Sequence, residues 1–164
     1  MGNHNHLYTS FYAPTPRDHI REWISQTAWN FGLTIQPCNP RYTADDMESL
    51  GSGIIDSLQR MLGIRRGLWI CFVREQSRAE GLWHLHGLMR LESSKRIKWM
   101  LRHGEDRLRF CCHQFAADRG SRYSDPSVHI FNESIVGGDK WESYINKEEF
   151  KDPDSDRWIF GRPH

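Results

Sequence analysis

No apolar run in these 164 residues approaches 18, so nothing in the sequence reads as a membrane-crossing helix. The opening Met1-Gly2-Asn3-His4-Asn5-His6 lacks the hydrophobic stretch of a secretory signal. Cysteine is sparse: Cys38, Cys71, Cys111 and Cys112 follow neither a zinc-ribbon spacing nor a disulfide framework. Cys71 and one of the adjacent pair fall in apolar, strand-like runs where thiols pack as small hydrophobes. The expectation is a reduced, intracellular protein with no membrane partner, in which the sequon Asn132-Glu133-Ser134 is idle. Repeats and low-complexity linkers are missing, so residues 1–164 are expected to form one domain. Excess charge is missing too, and a net +1 taken as a sum speaks against a polyanionic partner.

The residues that are present suffice for a real core, at 38 % hydrophobic and 12 % aromatic. Pro16 in Thr15-Pro16-Arg17-Asp18 opens a helix; Ile20, Trp23, Ile24 and Phe31 recur along it and Gly32 ends it. Leu33 to Gln36 is a short strand stopped by Pro37, and Thr43 caps a second helix running to about Gly63. Leu68 to Val73 and Leu82 to Leu91 are the arms of a hairpin, with a polar turn-like stretch from Glu75 to Gly81. Ser93 to His103 reads as a basic helix, and Arg107 to Phe115 and Ser127 to Phe131 as strands. A helix is expected over Gly137 to Phe150 and a last strand at Trp158 to Phe160. Together these predict an α+β domain, an antiparallel sheet of about five strands with helices packed on it.

The charge is unevenly placed. Arg60 to Arg109 holds 12 basic residues against 5 acids, whereas Glu133 to Asp156 holds 8 acids against 3 lysines. With 17 Arg to 5 Lys, the basic segment suits phosphate, and Arg74, Arg78, Arg90, Lys95 and Arg96 are its candidate nucleic-acid contacts. Solvated helix faces are the plainer explanation of the same composition.

The chemistry centres on His84-Leu85-His86. Alternation on a strand sends both imidazoles to one face, about 7 Å apart at twice the strand rise, and Leu85 into the core. Two such groups suit one divalent metal, although His-x-His alone has a chance expectation of about 0.5 in this composition. His4-Asn5-His6 is a second copy, set aside because its centre is polar and it lies at the terminus. Glu75 lies nine residues before His84, where an antiparallel partner would return its carboxylate to the pair. Gln76 and Glu80 compete for that place. A two-His, one-carboxylate set leaves coordination positions open for phosphate oxygens.

Tyr144 and Lys147 share a face of the expected helix at a spacing of three. A phenol with a free pKa near 10 is a weak nucleophile that needs a nearby cation or metal. Lys147 offers that positive charge as negative charge develops on phosphate. A buried core tyrosine beside an exposed lysine is the plainer alternative.

The run Glu75 to Leu91 with its His84-Leu85-His86-Gly87 centre, followed by Tyr144-x-x-Lys147, resembles the catalytic domain of HUH endonucleases. Among them it looks most like the single-tyrosine Rep initiators of rolling-circle plasmids and small circular single-stranded DNA viruses. Leu33-Thr34-Ile35-Gln36-Pro37 is similar in place to the family's first motif, and the likeness spans roughly residues 30 to 150. The resemblance implies an RRM-like sheet, with Mg²⁺ or Mn²⁺ held by His84, His86 and Glu75. It also implies attack by Tyr144 on single-stranded DNA, an origin stem-loop or similar, giving a 5′-phosphotyrosine. Glu148 stands where small transposases of the superfamily would carry Gln, and relaxases place their tyrosine before the histidines. The sequence has no Gly-rich phosphate loop with Lys, so unwinding is expected from a separate helicase, with host replication proteins. A different class, a non-catalytic RRM-like binding module, would use Trp69, Trp83 and Phe110 as stacking platforms.

Overall fold

A computed structural model of the chain describes residues 16–65, 67–121, 125–132 and 158–161. Helix α1 spans Pro16–Gln26, with proline in its first position, where the missing N–H costs nothing. It ends before the sequence suggested. Trp29 donates its indole N–H to the carbonyl of Ile24, folding the chain back, and Phe31 and Gly32 open strand β1, Phe31–Gln36, rather than closing the helix. The spacing that mimicked a helix reflects burial of Phe31, Leu33 and Ile35 on one face of that strand.

Helix α2, Ala44–Met61, starts in a capping box. The Thr43 hydroxyl accepts from the amide of Asp46, and the Asp46 carboxylate accepts from the amide of Thr43. Arg119 adds a contact to the same carboxylate at 3.2 Å. Strands β2, Trp69–Gln76, and β3, Trp83–Arg90, form the expected hairpin, and its turn is shorter than expected because Glu75 and Gln76 still pair. Gly81 makes the turn's left-handed step at φ 67°, and Ser77 donates its amide to the carbonyl of Leu82.

The stretch after the hairpin corrects the sequence reading. One helix, α3, runs unbroken over Ser94–Asp118, so Arg107 to Phe115 is not a strand. The apparent alternation there conceals a four-residue spacing: Met100, Gly104, Leu108, Cys112 and Ala116 are buried in one line. Gly104 does not stop the helix. A Cβ there would stand 2.6 Å from Cδ1 of Ile130, so glycine lets α3 lie close on strand β4, Ser127–Phe131. Cys112 is thus a helical core thiol, while Cys71 lies in β2 as expected.

Strand β5, Trp158–Phe160, completes a sheet of order β4-β1-β3-β2-β5, antiparallel at every pairing. The architecture is α+β, a five-stranded antiparallel sheet with flanking helices, compatible with an RRM-like arrangement. Its first face packs Phe31, Leu33, Ile70, Phe72, Leu85 and Met89 against α2 and α3. On its second face, Cys71, Val73 and Leu88 pack with Trp23, Ile24 and Trp29 of α1 and the segment after it. All four cysteines are thiols, and no helix among the described residues is long and apolar enough to cross a membrane.

Candidate metal centre

The second face carries the site. Because side chains alternate, burying Leu85 against α2 and α3 obliges His84 and His86 to point the other way, together with Leu88 and Arg90. Glu75 is the cross-strand partner of His84, and the diagonal neighbour of His86, whose direct partner is Val73. Oε2 of Glu75 stands 2.9 Å from Nε2 of His84 and 3.1 Å from Nε2 of His86. The imidazole rings lean together, with centroids 4.7 Å apart and planes at 89°, closer than the backbone spacing alone suggested. One ligand atom from each of the three lies within 4.8 Å of the others, so the trio can hold a metal ion. Their side chains are only 14 %, 15 % and 10 % exposed for Glu75, His84 and His86, which excludes most bulk water. Three ligands do not complete the shell of a divalent ion, and the remaining positions suit oxygen donors.

Two features hold this trio in place. Thr34 of β1 is the other cross-strand partner of His86, and its Oγ1 lies 3.4 Å from Nδ1. Gly87, the next residue, has no side chain because the ring of Phe72 occupies that space: a Cβ would meet it at 2.5 Å. Sequence reasoning missed Thr34; the signal was its position in a strand that alternates with buried Leu33 and Ile35.

Register turns Gln76 away from the trio, and Glu80 lies off the strands. Gln76 pairs with Trp83 and points to the opposite face, its amide donating to the carbonyl of Gly81. Glu80 is exposed in the turn. Tyr144 and Lys147 lie outside the described residues.

The candidate phosphate contacts scatter. Arg74 is buried on the first face, where it donates to the carbonyl of Ala44 and stands 3.5 Å from Glu48, so it is not presented to a ligand on the second face. Arg96 donates to the carbonyls of Leu62 and Gly63, satisfying the end of α2. Lys95 is exposed on α3, and Arg78 in the hairpin turn. Arg90 points to the second face and pairs with Glu92. The three proposed stacking residues do not share a surface either. Trp69 is exposed on the second face and stacks on Trp23, Trp83 packs against the first-face core, and Phe110 is exposed on α3.

No protein-family model, curated protein or solved structure matches the chain.

Proposed function

We propose that this protein is a metal-dependent endonuclease that nicks and rejoins single-stranded DNA, an HUH-type replication initiator. The observation that supports it most is the meeting of Glu75, His84 and His86 on one face of an antiparallel sheet. In this reading these three hold Mn²⁺ or Mg²⁺, the imidazoles favouring Mn²⁺. The ion, when bound, polarises a phosphodiester and neutralises charge on its oxygens. The phenol of Tyr144 forms a bond to phosphorus, the bond from phosphorus to the 3′ oxygen breaks, and the leaving strand takes a proton as a 3′-hydroxyl. Lys147 stabilises the charge that develops. The phosphotyrosine keeps the energy of the broken linkage, so a later 3′-hydroxyl can rejoin the strand without a nucleotide cofactor. An origin stem-loop is the proposed substrate, and a separate helicase and host replication proteins the proposed partners.

The test is a covalent-adduct assay with single-stranded oligonucleotides and Mn²⁺. Wild type forms a denaturation-resistant protein–DNA adduct; Tyr144→Phe forms none, and chelator abolishes the reaction. An adduct that persists in Tyr144→Phe moves the nucleophile elsewhere. Strong binding without any adduct favours the non-catalytic module. Glu75→Ala weakens Mn²⁺ binding far more than Glu80→Ala, and the reverse order overturns the ligand assignment.

A further inference from the structure

We infer that Thr34 is a positioning residue for His86, holding the ring through Nδ1 so that Nε2 faces the Glu75 carboxylate. The inference rests on reading Glu75, His84 and His86 as a metal site.

Neutral imidazole binds a metal through one nitrogen and keeps its proton on the other. Nε2 of His86 is the atom beside Glu75, so Nδ1 must carry the proton in the metal-loaded form. Thr34 Oγ1 lies 3.4 Å from that nitrogen, within hydrogen-bond reach. A hydroxyl holds the ring in either tautomer, since it donates to a bare Nδ1 and accepts from Nδ1–H. A carboxylate or an amine in its place would serve only one.

The placement is secured by the fold. Thr34 pairs with His86 on one side of β1 and with His129 on the other, so register is set twice. Leu33 and Ile35 are fully buried on the first face, and slipping by one residue would expose both. A β-branched side chain on a strand has few rotamers, which keeps the hydroxyl aimed.

The experiment compares wild type, Thr34→Val and Thr34→Ser as full chains, with Mn²⁺ alone as the probe. Bound Mn²⁺ is read from loss of the free-ion electron paramagnetic resonance signal. The hydrogen bond at Nδ1 of His86 is read from its imidazole ¹⁵N shift, with diamagnetic Zn²⁺ as the ion and His86→Gln for assignment. Valine matches threonine in shape and strand preference, so a melting temperature near wild type shows an intact sheet. Thr34→Val weakens Mn²⁺ binding about 10-fold or more, in the range of outer-partner losses at metal-bound histidines. At saturating Zn²⁺ it also moves the Nδ1 ¹⁵N shift of His86, which has lost its hydroxyl partner, and Thr34→Ser restores both readouts. Equal affinity in wild type and Thr34→Val, or weaker affinity with an unchanged Nδ1 shift, overturns the inference and leaves the metal site standing. Wild type that binds neither ion overturns the metal reading, and the inference falls with it.

Discussion

Gly87→Ala tests whether the floor beneath the histidines is as tight as the structure shows. An added Cβ would lie 2.5 Å from Cε1 and 2.6 Å from Cδ1 of Phe72, and 3.1 Å from the carbonyl oxygen of Cys71. Ordinary contact begins near 3.4 Å, so the overlap with the ring is close to 1 Å. Phe72 is fully buried, and the ring has no exposed side to retreat to. Overpacking of this kind costs about 1–3 kcal/mol, and the stiffer unfolded chain of alanine returns about 0.4–1 kcal/mol. The net loss is on the order of 1–2 kcal/mol, a drop in Tm of roughly 2–8 °C for a chain of this size. Urea unfolding followed by tryptophan fluorescence measures it. The cause is isolated by repeating the substitution in a Phe72→Leu background, where the ring edge is gone. There the increment for Gly87→Ala shrinks by at least about 0.5 kcal/mol, the coupling expected of touching residues. An increment of the same size in both backgrounds, or a Gly87→Ala protein as stable as wild type, refutes the packing argument.

Four further outcomes are expected. Gly53 lies in α2 with open space around it, so Gly53→Ala raises stability by about 1 kcal/mol, while Gly104→Ala gains less because its Cβ displaces Ile130 and Met100; chemical denaturation ranks the two. The Asp46 carboxyl is held below its usual range, first by the Thr43 amide, so its stabilisation is complete above about pH 4 and lost as pH falls through its lowered value. Asp46→Asn accordingly costs about 1 kcal/mol at neutral pH and narrows its gap to wild type in acid, as denaturation at several pH values will show. Burial pushes the thiols of Cys71 and Cys112 up to about 12, so native alkylation read by mass spectrometry labels the half-buried Cys38 and Cys111 first. Under the proposed function, neutralising Lys95, Lys98 and Arg102 together leaves single-stranded DNA affinity within about threefold at moderate salt, because α3 covers the sheet face opposite Glu75; a larger loss in an anisotropy titration sends the strand over α3 instead.

What the sequence disclosed follows the reach of each physical rule. Period-two alternation is local and rigid, so the hairpin, the shared face of His84 and His86, and the return of Glu75 could be read directly. The run through α3 could not, because Leu108 and Phe110 alternate with Arg107 and Arg109 as a strand would. Only Ile130, arriving from β4, explains why Gly104 continues that helix. Phe31 fitted a helical spacing for the same reason: which partner buries it is decided by the sheet.

The fold disperses the basic segment, and that dispersal bears on function. Arginine was counted as surface charge, but Arg74 and Arg96 spend their donors on carbonyls of the protein's own helices, and Arg109 reaches the carbonyl of Val128. Lys95, Lys98 and Arg102 are exposed on α3, which packs on the first face. Among the described strand residues, Arg90 is the one Lys or Arg on the second face, at the far end of β3 from His84. A polyanion approaching Glu75, His84 and His86 therefore meets little fixed positive charge on the described strands. An ion held by those three residues would supply that charge within the site. Under the proposed function, phosphate binding on this face would then depend on the metal more than on the basic composition that first suggested it.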